Sequence, residues 1–275
     1  MPRSGDGNDR WRQALNVVLA LTQLTMPLFA RLTGIGVPIE ARPALDPTAA
    51  PEVPSGYAFG IWFVMYALAL AYAAHQALPR QAADPLYRRI GWLTAGLFLT
   101  GTLWMLLAQI TSDGWHLVIV VFAMWGLALT AFLRVPSGPA PPSVTRVVRP
   151  MLGLYAGWLT LAVFLNLTTV ARGQGLGTFG LPVMAYAMLT LVPAGLTALV
   201  LIRRSGGYVW YAFPVAWGLV AIIVADLGPS ANPVVATVAG ILLAAVGIAV
   251  WLVRRGHVSL PTNTGSADHA QASGA

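Results

Sequence analysis

The sequence predicts an all-α fold, a polytopic integral membrane helix bundle of eight transmembrane helices. Three observations predict it: the composition, the spacing of the apolar runs and the placing of the arginines. The 275 residues are 57% hydrophobic and 9% charged, with a mean hydropathy of +0.71. A soluble domain carries about 25% charged residues. A chain this apolar cannot cover a surface facing water, so its solvent is lipid. Cysteine is absent, which removes disulfides, thiol catalysis and cysteine metal centres. The net charge of +7 comes from arginine alone, for there is no lysine. In a membrane protein such charge gathers in cytoplasmic loops and is no argument for nucleic acid as a partner.

A spanning helix needs about 20 mostly apolar residues. Eight windows supply them: 12–33, 57–78, 90–111, 115–134, 150–171, 180–202, 208–226 and 233–253. The first follows Arg3, Arg10 and Arg12, as a signal peptide would. Its apolar part is long, it contains Gln23 and Pro27, and no small-x-small cleavage site follows, so it reads as a retained helix. With the N-terminus in the cytoplasm, thirteen arginines fall in cytoplasmic segments, and Arg31, Arg42 and Arg172 fall on the other side. Every cytoplasmic loop then holds at least two, and eight spans with both termini inside satisfy the positive-inside bias. The expected location is the cell (inner, cytoplasmic) membrane.

The connections differ in character. Residues 34–55 are Pro-rich and carry Glu40, Arg42, Asp46 and Glu52. A connection of that length is either a lid or a linker. Residues 135–143, "VPSGPAPPS", read as a plain linker. The tail 257–275 is polar and rich in Gly, Ser and Thr, a composition expected to be disordered. The stretch "RGQGLGTFG" from Arg172 has neither the preceding strand nor the lysine of a phosphate loop.

Ionisable residues inside a membrane mark proton relays and ion paths, and here they sit at helix ends. Asp226 ends the seventh helix, Asp113 lies in the turn between the third and fourth, and His75 and His116 lie near opposite faces. No metal site, catalytic residue or cofactor is expected from this set, and the chain reads as no enzyme. A light-driven reaction on a bound pigment would need a pocket and a tryptophan.

Aromatic residues give the richer signal. In "GYAFGIWFVMY" at the start of the second helix, Phe59, Trp62 and Tyr66 fall within an arc of about 60° at 100° per residue. In "YAGWLTLAVFLN" of the fifth, Tyr155, Trp158, Ala162 and Asn166 fall within about 80°. Both helices thus carry a stripe of aromatic, small and polar side chains where lipid would favour Leu, Ile and Val. The interfacial belt accounts for Trp11, Tyr57 and Trp115 at helix ends, less well for Trp62, Trp104 and Trp158. Close helix packing and a ligand pocket are the two readings of the stripes.

These stretches resemble the TspO/MBR family, the tryptophan-rich sensory proteins that include translocator protein. Its second helix opens with Trp-x-x-Gly-Pro-x-Trp-x-x-x-Tyr; here Gly60, Trp62 and Tyr66 are kept, Tyr57 replaces the first tryptophan and the proline is missing. Its fifth carries Tyr-x-x-Trp-x-x-x-Ala-x-x-Leu-Asn, matched at every position by Tyr155, Trp158, Ala162, Leu165 and Asn166. Between them, Gly91, Gly114 and Trp115 are in register. Departures are Thr100 at an asparagine position, Trp104 displaced by one, Ile119 where an acid is common, and Leu167 where the cholesterol-recognition pattern needs a tyrosine.

The resemblance covers residues 15–172. It implies a five-helix domain over 1–172, three additional helices over 173–256 without a counterpart in five-helix members, and the tail. It also implies a pocket for porphyrins, sterols or synthetic aromatic ligands under a lid formed by residues 34–55. The site would draw on Tyr57, Phe59, Gly60, Trp62, Tyr66, Thr100, Trp104, Tyr155, Trp158, Ala162, Leu165 and Asn166. The expected partners are membrane lipid, a small apolar aromatic ligand and, because dimers occur in that family, a second copy. The role would be sensory, regulatory or in transport. The alternatives are a small-molecule transporter using all eight helices and a structural membrane subunit whose stripes are all packing.

Overall fold

The computed structural model describes residues 7–41, 51–111, 114–136, 138–175, 183–228 and 232–258. Arg42, Asp46, Asp113, the glycine-rich stretch beyond residue 175 and the tail after residue 258 lie outside them. The described residues are helical, with no strand. The helices are α1 (Gly7–Thr25, continued by Met26–Leu28 and Phe29–Thr33), α2 (Ile61–Gln76, entered through Gly56–Gly60), α3 (Pro85–Ile110) and α4 (Trp115–Arg134). They are followed by α5 (Arg149–Gly173, entered through Val144–Val148), α6 (Val183–Arg204), α7 (Val209–Ala225) and α8 (Pro233–Val258). All eight predicted windows are helices. Seven are long and apolar enough to cross a membrane, and α7 is a shorter apolar helix of 17 residues. At 1.5 Å per residue α7 spans about 26 Å, close to the thickness of a hydrocarbon core.

Two helices start earlier than their apolar windows. Pro85 occupies the first turn of α3, and the Asp84 carboxylate accepts from the backbone N–H of Leu86 at 2.8 Å and Tyr87 at 3.4 Å, a capped start that needs no apolar residue. Helix α1 is already helical at Gly7, the first described residue, and its polar residues there are paired inside the bundle. Its buried face is Asp9, Arg12, Gln13, Asn16, Ala20 and Gln23, while Trp11, Val18 and Leu21 are exposed. That is a polar stripe turned inward and an apolar one turned to lipid. Arg88 Nε donates to both Asp9 oxygens at 3.0 and 3.1 Å, and Arg12 Nη1 lies 3.4 Å from Asp9 Oδ1. Gln13 and Gln76 each donate to the other's backbone carbonyl, at 2.5 and 3.0 Å. Asn16 donates to Gly91 O at 2.8 Å and accepts from Thr94 Oγ1 at 2.7 Å. Higher up, Gln23 Oε1 accepts from Tyr155 Oη at 2.8 Å. Such bonds satisfy groups that lipid cannot.

Helix α5 is the axis of the fold. Each residue from Pro150 to Leu161 is buried, as expected of a helix apolar all round. Small residues bring α7 against it. A Cβ at Gly157 would lie 2.1 Å from Tyr211 O, and one at Gly218 would lie 2.5 Å from Leu161 Cδ1. Thr160 Oγ1 receives the Trp125 indole N–H at 3.1 Å and pairs with Tyr211 Oη at 2.9 Å, tying α4, α5 and α7 together.

Candidate ligand cavity

At the end of the bundle away from the N-terminus, α2, α3, α4, α5 and α7 leave a cavity of about 440 Å³. That size lies within the range of small-molecule sites. Its aromatic wall is built from the two predicted stripes and from α3. Trp62 and Trp104 stack with centroids 6.0 Å apart and planes 19° apart. Phe59 meets Trp158 edge-on at 6.1 Å. Trp104 donates its indole N–H to Asn166 Oδ1 at 3.2 Å, and Asn166 Nδ2 donates to Ala162 O at 2.9 Å. The amide therefore joins α5 to α3 and also lines the cavity.

The described parts of the 34–55 segment form part of the cavity wall. Val37 and Ile39 line the cavity from its first part and Val53 and Pro54 from its second. The first part is held by α3: Val37 N donates to Gln109 O at 2.8 Å, while the Gln109 side chain accepts from Ala30 N at 3.1 Å and donates to Met26 O at 3.0 Å. Gly36 has φ +84°, and a Cβ there would sit 2.2 Å from Gln109 O, so both conformation and space require glycine. The second part is held by α7: Ser55 N donates to Ala221 O at 3.1 Å and the Trp217 indole to Ala58 O at 3.0 Å.

Seven of the twelve predicted residues line the cavity: Phe59, Trp62, Trp104, Trp158, Ala162, Leu165 and Asn166. The other five do not. Tyr66 and Tyr155 are buried beside Trp62, at 5.6 and 6.3 Å between centroids, and support it from behind. Gly60 joins the entry turn to α2 with open space at its Cβ. Tyr57 is half exposed and rests edge-on against Trp217. Thr100 spends its hydroxyl on the carbonyls of Gly96 and Leu97. Residues that sequence reasoning passed over are Leu117, Val121 and Met124 of α4 and Gly218 and Ile222 of α7. Plain aliphatics carry no mark of a site, and the one available signal was Gly218, a mid-helix glycine that allows close approach.

The sequence model of the TSPO-like protein family matches residues 41–252. The chain belongs to the TSPO-like protein family. No curated protein and no solved structure matches it. The match takes in the α2 and α5 stripes and runs on through α6, α7 and most of α8. The TSPO-like pattern thus includes the helix that closes the cavity opposite Trp158. Replacing Asn166 with leucine should remove about 0.6 kcal/mol of stability, the usual worth of a hydrogen bond in a membrane. It should also weaken ligand binding; unchanged affinity in that folded variant would leave the amide with a packing role alone.

Proposed function

We propose that this TSPO-like membrane protein binds a flat apolar aromatic ligand, a tetrapyrrole such as a porphyrin or an isoprenoid-like molecule, in a sensory, regulatory or transport role. It would sit in the cell membrane with both termini cytoplasmic and bind its ligand from the opposite side. The observation that carries this is the cavity wall. The Trp62–Trp104 stack, Phe59 and Trp158 offer faces and edges to a planar ring, Ala108 and Ala162 give it room, and Asn166, Thr111 and Thr169 offer a few polar atoms. These polar groups orient a ligand rather than exchange protons with it, so the reading is of a binding protein. Titration of the purified protein with protoporphyrin should quench tryptophan fluorescence saturably, and Trp158→Ala should weaken binding by about tenfold, the loss of one aromatic contact of 1–1.5 kcal/mol. Absence of saturable binding to any tetrapyrrole would remove the proposal.

A second reading, transport through all eight helices, is favoured by the contribution of α7 to the cavity wall through Gly218 and Ile222. It requires flux of the ligand in proteoliposomes; binding without flux decides for a sensory or regulatory role.

A further inference from the structure

Two carboxyl groups that the binding reading does not use lie on the two sides of the seam beside the cavity. Glu52 lies on the segment after α1, and Asp226 caps the outer end of α7. They are 0% and 3% exposed, and among the described residues both Glu52 oxygens and Asp226 Oδ2 lack a hydrogen-bond partner. The seam is the one fastened by Ser55 N to Ala221 O and by Trp217 to Ala58 O. Its inner side is cavity wall: Val53, Pro54 and Ile222. The charged group facing Glu52 from α5 is Arg172, and one guanidinium cannot balance two carboxylates. Burial raises the Glu52 carboxyl above its ordinary range, with its own backbone N–H and, less, Arg172 pulling it back. Burial likewise pushes Asp226 up to about 6, opposed by the backbone at Asn232 and reinforced by the charge of Glu52. Carboxyls that feel each other's charge in this way resist ionising together.

We propose that Glu52 and Asp226 form a latch: with a proton on Asp226 the 51–60 segment stays seated on α7, and without it the like charges part the seam and open the cavity. The coupling to ligand rests on the binding reading above; the latch itself does not. The sign follows from linkage. The seated state holds the proton more tightly than the parted state, so seating weakens as pH rises above the ordinary carboxyl value and stops changing once pH passes the seated one. For Asp226, between 3.8 and about 6, seating is about tenfold weaker at pH 8 than at pH 5.

The backbone N–H of Ser55 reports the seam directly. Its hydrogen-exchange protection, corrected for the intrinsic effect of pH, should fall about tenfold from pH 5 to pH 8. Glu52→Gln and Asp226→Asn should each flatten that dependence. Protection that does not change with pH in the unaltered protein overturns the latch, as does a dependence that survives both substitutions. The second arm follows release of protoporphyrin dimethyl ester, which has no ionisable propionate. Release should quicken by a similar factor between the two pH values. Equal release rates beside a pH-dependent Ser55 would overturn the opening of the cavity, and no binding at either pH would overturn the ligand reading while the exchange result still stood.

Discussion

Gly157→Ala is expected to separate α5 from α7 and to remove both stability and ligand binding. The new Cβ would lie 2.1 Å from the Tyr211 carbonyl oxygen and 2.7 Å from Pro214 Cγ. Neither is the end of a flexible side chain, so the helices must move apart. Overpacking of this kind costs about 1–3 kcal/mol and more where backbone must shift. The displacement would draw Gly218 and Ile222 away from Trp158, so the cavity would widen as the protein weakened. Gly126→Ala is the matched control: its Cβ meets nothing within 4 Å, and the helix should gain up to about 1 kcal/mol from alanine. Thermal denaturation in detergent and porphyrin titration of the two variants would check this. A Gly157→Ala protein that melts with the wild type would show that α7 does not sit this close to α5.

Asp9→Ala is expected to be the most destabilising substitution at the other end of the bundle, and it should spare the cavity. Arg12 is 1% exposed and would be left buried with the Ala82 carbonyl, 2.7 Å from Nη2, as its described partner. Removing one member of a buried ion pair costs about 3–5 kcal/mol because the other charge stays buried. Arg88 adds less, because its side chain is 45% exposed and water screens it. The expected result is a large fall in melting temperature with unchanged ligand affinity in the protein that remains folded. A loss of affinity without loss of stability would place Asp9 in the binding function instead.

The aromatic half of the cavity was legible in the sequence because a 3.6-residue period projects chemistry onto faces. Phe59, Trp62, Trp158, Ala162 and Asn166 were placed together by arithmetic on two helices, and the structure brings those faces opposite one another. Tyr66 and Tyr155 share the same arcs but lie deeper, since an arc fixes direction around a helix and not depth along it. The contribution of α7 was not legible. It depends on which helix packs beside α5, and that is decided by glycines at 157 and 218 touching partners far away in sequence. The inverted face of α1 was legible in principle: Gln13, Asn16 and Gln23 recur at helical spacing, although hydropathy counts only their sum.

That inverted face bears on how the chain enters its membrane. A helix that carries Gln13, Asn16 and Gln23 on one side, after Asp9 and Arg12 at its start, is a poor passenger in lipid by itself, because amides without hydrogen-bond partners are costly there. Beyond the Asp9–Arg12 pair and the Asn16 bond to Arg12 O within the helix, these side chains bond to segments made later: Gln76, Ala82, Arg88, Gly91, Thr94 and Tyr155. Biogenesis is therefore cooperative at its first step. The leading helix settles only when its successors arrive, and a ribosome stalled before α3 would hold a segment with no stable place in the bilayer.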